Sequence, residues 1–249
     1  LAYKENTLKI FLGFTVLLCL LLTLLATKES PKERTVLLSF DVEPIDGEKD
    51  VLDLINILEQ ENISATFFVT GEYARQYPDV VRKMKGQEVA CHAYTHKRLI
   101  FMTYEEQKKE ITSCRTIIEA LTHKEVTGFR APYNLVNKDT LKILEEDGFT
   151  YDASVISGLR TIFPTPESIA EIYVSSIFGI PLEDVVWLHY VHVPDTYFYI
   201  LKNKITLFES YLFHPHHIIR QKQGFYDFIN YLKAQNTIFI NHSAIVKKL

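Results

Sequence analysis

Apolar runs and helical stretches alternate along most of this chain, and that alternation constrains its fold more than any other feature. VLLSF (36–40) is followed by KDVLDLINILEQ (49–60), whose apolar residues at 51, 52, 54, 55, 57 and 58 make a helical stripe. ATFFV (65–69) then reads as a buried strand. EYARQYPDVVRKMK (72–85) reads as helix broken at Pro78, and EVAC (88–91) as strand. A helix over 103–122, a strand at GFR (128–130) and a helix over 137–148 closed by Gly148 follow. Residues 151–208 are less regular, with a strand expected at EIYVSS (171–176) and a helix near TYFYILKN (196–203). ESYLF (209–213), GFYDFINYLKAQ (224–235) and TIFI (237–240) complete the series as strand, helix and strand. Strands that alternate with helices pair in parallel, which predicts an α/β fold: a small or incomplete (β/α) barrel of about seven to eight βα units.

The amino-terminal part breaks this pattern. IFLGFTVLLCLLLTLLA (10–26) carries no charge and is long enough to span a bilayer. We expect residues 1–27 to be an uncleaved signal anchor, a single transmembrane helix, because the apolar core exceeds a usual signal-peptide core and no A-x-A site follows. Residues 28–34 would be a polar linker and 35–249 the catalytic domain. Lysines and arginines flank the stretch nearly evenly, so charge alone does not orient it. The net charge of -4 argues against nucleic acid as a partner. With Cys19 in the apolar stretch, only Cys91 and Cys114 remain to pair, and two buried thiols are the favoured reading over one bridge.

In a parallel barrel, catalytic groups gather at the carboxyl ends of strands. SFDVEP (39–44) ends the first strand and places Asp41 and Glu43 on one side, roughly 7 Å apart, with Val42 facing away. CHAYTH (91–96) follows the third strand with His92 and His96 four residues apart. Two imidazoles with one carboxylate make up the usual hydrolytic metal site, so one acid would bind and the other remain free. Arg130 to Tyr133 follow the fourth strand and His214 follows strand 209–213.

FDVE (40–43), ATFFVTG (65–71), EVACHAYTH (88–96), GFRAPY (128–133), GFTYDAS (148–154) and FHP (213–215), in this order, resemble the successive motifs of the polysaccharide deacetylases, the chitin and peptidoglycan deacetylase group of carbohydrate esterases. The resemblance implies that Asp41 is the general base and that Arg130 orients and charges it. It makes Glu43, His92 and His96 the ligands of a divalent metal, with zinc expected. Tyr133 would offer its backbone N–H to an oxyanion, His214 would be the general acid, and Asp152 would support a neighbouring residue. The chain departs from the commoner pattern at Val42, where a metal-binding Asp usually stands, and matches a variant D-x-E acid pair.

The implied activity is metal-dependent removal of N-acetyl groups from amino sugars of a cell-surface glycan, by a single-pass membrane protein with its catalytic domain outside the cytoplasm. Two other readings stay open. One is hydrolysis of another amide, such as a formylated sugar or a cyclic ureide; the other is a catalytically degenerate glycan-binding domain. In HPHH (214–217) one catalytic histidine and two rim residues are expected, because Pro215 and alternating side-chain directions disfavour convergence of three imidazoles. His189 and His192 read as loop or rim residues, Trp187 as packing, His123 as a helix cap, and His242 as the rival acid if His214 faces away.

Overall fold

The computed structural model describes residues 33–158, 165–203 and 206–248. The apolar stretch 10–26, and with it the expected anchor, lies outside the described residues. Among them, no helix is long and apolar enough to cross a membrane.

Strand β1, Arg34–Val42, is buried along nearly its whole length, as a strand covered on both faces must be. One edge of β1 pairs with β9 (Phe208–Phe213) from Thr35↔Phe208 to Phe40↔Phe213. The opposite edge is shared: β10 (Thr237–Phe239) pairs with its start, and β2 (Thr66–Val69) with its end. From β2 the sheet continues in parallel through β3 (Glu88–Cys91), β4 (Gly128–Phe129), β5 (Tyr151–Asp152) and β6 (Ala170–Glu171). Beyond β6 it reaches β9 through separate contacts rather than a ladder. The Ser175 N–H donates to the Ser210 carbonyl at 2.8 Å, and Glu183 bridges Leu212. The result is a curled, incompletely laced parallel barrel.

The helices form where the apolar stripe recurs. α1, Glu48–Gln60, buries Val51, Leu54, Ile55, Ile57 and Leu58. α2, Gly71–Gln76, and α3, Pro78–Lys83, are separated at Tyr77, because Pro78 has no N–H to continue the first helix. α4, Tyr104–Thr122, starts in a capping box of Thr103 and Glu106 and ends at His123 in the left-handed region. α5, Lys138–Glu146, starts at Asn137 and is followed by Gly148 at φ +74°. α6 (Pro194–Asn203), α7 (Pro215–Arg220), α8 (Lys222–Ala234) and α9 (His242–Val246) complete the chain.

Four sequence-based expectations need correction. Residues 171–176 are not one strand: β6 ends at Glu171, and β7 (Ser176–Ile177) turns back onto β8 (Ile180–Pro181). Phe178 and Gly179, both at positive φ, form the hairpin tip, and glycine adopts that conformation without strain. β5 was not expected, since a two-residue ladder leaves no periodicity to read. The segment after His214 is helical, not alternating, because Pro215 fits the first position of a helix. Cys91 and Cys114 are joined as a disulfide with Cα atoms 6.0 Å apart; α4 packs across β3 and brings the two together.

β5 and β6 place two acids side by side, Asp152 against Glu171. Burial, reinforced by Asp152, pushes the Glu171 carboxyl up to about 8; burial likewise pushes Asp152 up to about 6 against the hydrogen bond from Ser154. The folded chain therefore holds the Glu171 proton more tightly than the unfolded chain, where the carboxyl titrates near 4.5. That contribution is complete below 4.5 and is lost as pH rises through 8. Glu171→Gln, which cannot ionise, should therefore gain stability relative to wild type by roughly 1–3 kcal/mol between acid and alkaline pH. Denaturant unfolding of both proteins on either side of this window checks it; an equal difference at both ends would show that Glu171 ionises normally.

Candidate active site

The carboxyl ends of β1, β3 and β9, with the loop after β4, surround a cavity of about 420 Å³. Asp41, Glu43, His92, His96, Tyr133 and His214 all line it. Arg130 is fully buried behind Asp41. The seven residues expected to be catalytic or metal-binding therefore meet at one end of the barrel.

Asp41 and Glu43 share a face because they are two apart at a strand end, while Val42 packs into the core. Arg130 Nη1 donates to Asp41 Oδ1 at 2.7 Å and to Ser39 Oγ at 3.0 Å. Its Nε donates to the Ala153 carbonyl at 2.8 Å, and its guanidinium lies 4.0 Å from the Phe68 ring centre. The loop that carries Arg130 is braced in turn: the Ala131 N–H donates to Ser154 Oγ at 2.8 Å, and Ser154 donates to Asp152 at 2.6 Å. Asp152 thus acts at one remove, through Ser154.

The His92 to His96 loop turns sharply, with Ala93 and His96 both at positive φ. Glu110 on α4 holds it, accepting from the Tyr94 and Thr95 N–H groups at 3.0 and 2.8 Å and from the Thr95 hydroxyl at 2.9 Å. His92 Nδ1 lies 2.8 Å from the Arg130 carbonyl. A carbonyl only accepts, so Nδ1 carries the proton and Nε2 presents its lone pair. Burial pushes the His92 pKa down to about 4, which keeps the ring neutral. His96 Nε2 lies 3.0 Å from Glu43 Oε1.

Three observations test whether Glu43, His92 and His96 fit a divalent metal. Their ligand atoms lie within 4.8 Å of one another. His92 Nε2 is buried without a hydrogen-bond partner. The set is one carboxylate and two imidazoles, a donor set suited to zinc. Burial alone would raise the Glu43 pKa, yet the hydrogen bonds from His214 and His96 hold it well below the carboxylate range. The residues fit.

His214 ends β9 as the N-cap of α7. Its Nε2 lies 3.3 Å from Glu43 Oε1, and its Nδ1 donates to Asp184 Oδ1 at 2.7 Å. Asp184 Oδ2 also accepts the His214 backbone N–H at 2.6 Å. Burial works against protonation of His214, but Asp184 and then Glu43 raise its pKa well above the ordinary value. Tyr133 adopts φ +61°, with its ring against His96 and under the Arg98 guanidinium. The backbone bonds of this turn run from Asn134 to Ala131 and from Leu135 to Pro132, and neither uses the Tyr133 N–H.

His242 lies elsewhere, packed on Tyr151 and Phe68 with Nδ1 2.9 Å from the Thr66 hydroxyl, so it is no rival to His214. Trp187 stacks on Tyr197 and donates to the Pro181 carbonyl, while Tyr190 is 73% exposed at the cavity rim. Sequence reasoning missed Asp184, Glu110, Asp46 and Glu183. Asp46 accepts the Glu43 N–H at 2.8 Å and the His216 Nδ1–H at 2.7 Å, joining the end of β1 to α7. Burial pushes the cavity-lining Glu183 up to about 7. Asp184 and Glu110 stand far from their partners in sequence; the local signals were Asp46 three residues after Glu43 and the adjacency of Glu183 and Asp184 in PLEDVV (181–186).

A sequence model described as polysaccharide deacetylase matches residues 28–151. Over 107 residues the chain is 33% identical to a peptidoglycan deacetylase-like protein of Gibberella zeae, covering 42% of this chain and 30% of that one. Over 113 residues it is 35% identical to a chitooligosaccharide deacetylase of Bradyrhizobium sp., covering 43% and 50%. A solved structure of a carbohydrate esterase family 4 pseudoenzyme from Bacillus anthracis superposes with a TM-score of 0.67 at 20% identity, covering 87% of this chain and 66% of that chain. That likeness is one of fold. The matched residues 28–151 belong to the polysaccharide deacetylase family, and the chain's matches span 30% to 50% of the length of the first curated relatives.

If Asp184 lifts the His214 pKa, Asp184→Asn should bring it down toward the ordinary imidazole value. An NMR pH titration of the imidazole signals in the wild type and the variant measures this. An unchanged His214 would assign the whole lift to Glu43.

Proposed function

We propose that this protein is a metal-dependent hydrolase that removes N-acetyl groups from amino sugars of a cell-surface glycan. One observation carries the reading: Asp41 held by Arg130, a metal-fitting cluster of Glu43, His92 and His96, and a protonated His214 all open onto one cavity. A binding module has no need of a base, an acid and a metal cluster together.

Glu43, His92 and His96 would hold the cation, with zinc favoured by the donor set. When bound, such a cation polarises a carbonyl and makes a water molecule more acidic. Asp41 takes the proton from the attacking water, its carboxylate oriented by Arg130. The Tyr133 N–H, in the left-handed turn after β4, would donate to the carbonyl oxygen as negative charge develops there. His214 delivers its Nε2 proton to the departing nitrogen, while Asp184 fixes the ring through Nδ1. Glu110 and Asp46 hold the loops on which two of the ligands stand. Acetate and a free amino sugar are the products.

Peptidoglycan and chitin oligosaccharides are the substrates to test first, since matched relatives carry those names. The apolar stretch 10–26 supports anchoring of the catalytic domain, residues 35–249, at a membrane; its extracytoplasmic placement rests on the proposed cell-surface substrate, not on the stretch itself.

Acetate release by the full chain from chitin oligosaccharides and peptidoglycan, with and without a chelator, tests the activity. We expect release that a chelator abolishes and a divalent metal restores; a correctly folded, metal-loaded protein that frees no acetate overturns the reading. Variants separate the roles. Asp41→Asn and His214→Ala should keep the metal and lose rate by about 10²- to 10⁴-fold, while Glu43→Ala should lose the metal itself. Metal retained by Glu43→Ala and lost by Asp41→Asn would exchange the two acids.

A further inference from the structure

Asp184 faces more imidazole than the orientation of one proton donor requires. Its Oδ1 lies 2.7 Å from His214 Nδ1 and 3.6 Å from His217 Nδ1. His217 comes onto the same side because Pro215 starts α7 directly after His214, and residues three apart are neighbours on a helix face. It is 8% exposed, Asp184 is wholly buried, and His217 Nδ1 has no hydrogen-bond partner. Leaving a buried ring nitrogen unsatisfied is unfavourable, and here that nitrogen points at a buried carboxylate.

The geometry suits a cation. One ligand atom from each of Asp184, His214 and His217 lies within 4.8 Å of the others. Tetrahedral zinc, with bonds of about 2.0–2.1 Å, separates its ligand atoms by roughly 3.3–3.5 Å, so small ring rotations suffice. A carboxylate with two imidazoles is again a zinc-type donor set. His216 is excluded because its Nδ1 is committed to Asp46 at 2.7 Å. On the far side, the His189 ring stacks on His217 at 5.9 Å and walls the cluster.

We propose that Asp184, His214 and His217 form a second divalent-cation site, distinct from the Glu43, His92 and His96 cluster, and that filling it with zinc inhibits the enzyme. Binding requires His214 Nδ1 to give up its proton and replaces the Asp184 hydrogen bond that orients the ring. The histidine is then held by the cation rather than free to cycle a proton. Zinc thus acts in opposite senses at two clusters that share one cavity. The inhibitory part rests on the reading of His214 as proton donor; the binding part does not.

Metal-stripped full-chain protein, dialysed against rising free zinc and analysed by atomic emission and calorimetry, gives the binding result. Wild type should take up a second, weaker ion; His217→Phe and His217→Gln should lose that ion alone, and Glu43→Ala should lose the first and keep the second. Thermal melts of the two His217 variants confirm their fold. Excess zinc should suppress wild-type acetate release by on the order of tenfold or more, reversibly on mild chelation, and should spare both His217 variants. A single ion in wild type, or a second ion that survives both His217 substitutions, overturns the site. A second ion that binds as described without slowing release overturns the inhibitory role. If no form releases acetate, the reading of the function fails while the ion count still decides the site.

Discussion

The buried pair of Arg130 and Asp41 is the interaction on which the rest of the site depends. Desolvating two charges is costly, and only good geometry with further hydrogen bonds offsets it. Both conditions are met: Arg130 reaches Asp41, Ser39 and the Ala153 carbonyl and lies over Phe68. Its backbone works as well, since the Arg130 N–H donates to the Cys91 carbonyl and the Arg130 carbonyl accepts from His92. One residue therefore positions the base, ties β4 to β3 and selects the tautomer of a metal-fitting histidine. The bracing of its loop through Ser154 and Asp152 extends this arrangement to β5.

Around that pair, the electrostatics divide the titratable groups by task. Asp41 faces a guanidinium. His92 is kept neutral by burial, with its lone pair exposed, and His214 is kept protonated by Asp184 and Glu43. Groups of one chemical type thus take opposite protonation states within one cavity, because each has different partners. Glu43 links the two histidine groups, lying between His96 and His214.

The barrel and the functional face were largely legible in the sequence. Strand-helix alternation, the period-2 spacing of Asp41 and Glu43, and the histidine pair after β3 are local patterns, and local patterns survive in a sequence as periodicity. The region 151–185 was poorly legible because its strands are two residues long and its hairpin depends on Phe178 and Gly179 at positive φ. The helix after His214 was misread because HPHH presents no apolar stripe, and only Pro215 hinted at a helix start. The Cys91–Cys114 disulfide followed from the packing of α4 on β3, which no spacing rule announces.

What the sequence by itself determined is which residues stand at strand ends and which side of a strand they face, because side-chain direction is set by backbone period. Only the tertiary structure decided who supports them. Asp184 reaches His214, Glu110 reaches the loop before His96, and Asp46 reaches His216 across long stretches of chain. Those pairings follow from how the sheet curls and which helix covers which strand. Charge states follow from the same packing, since burial and neighbours, not residue type, make one histidine neutral and another cationic.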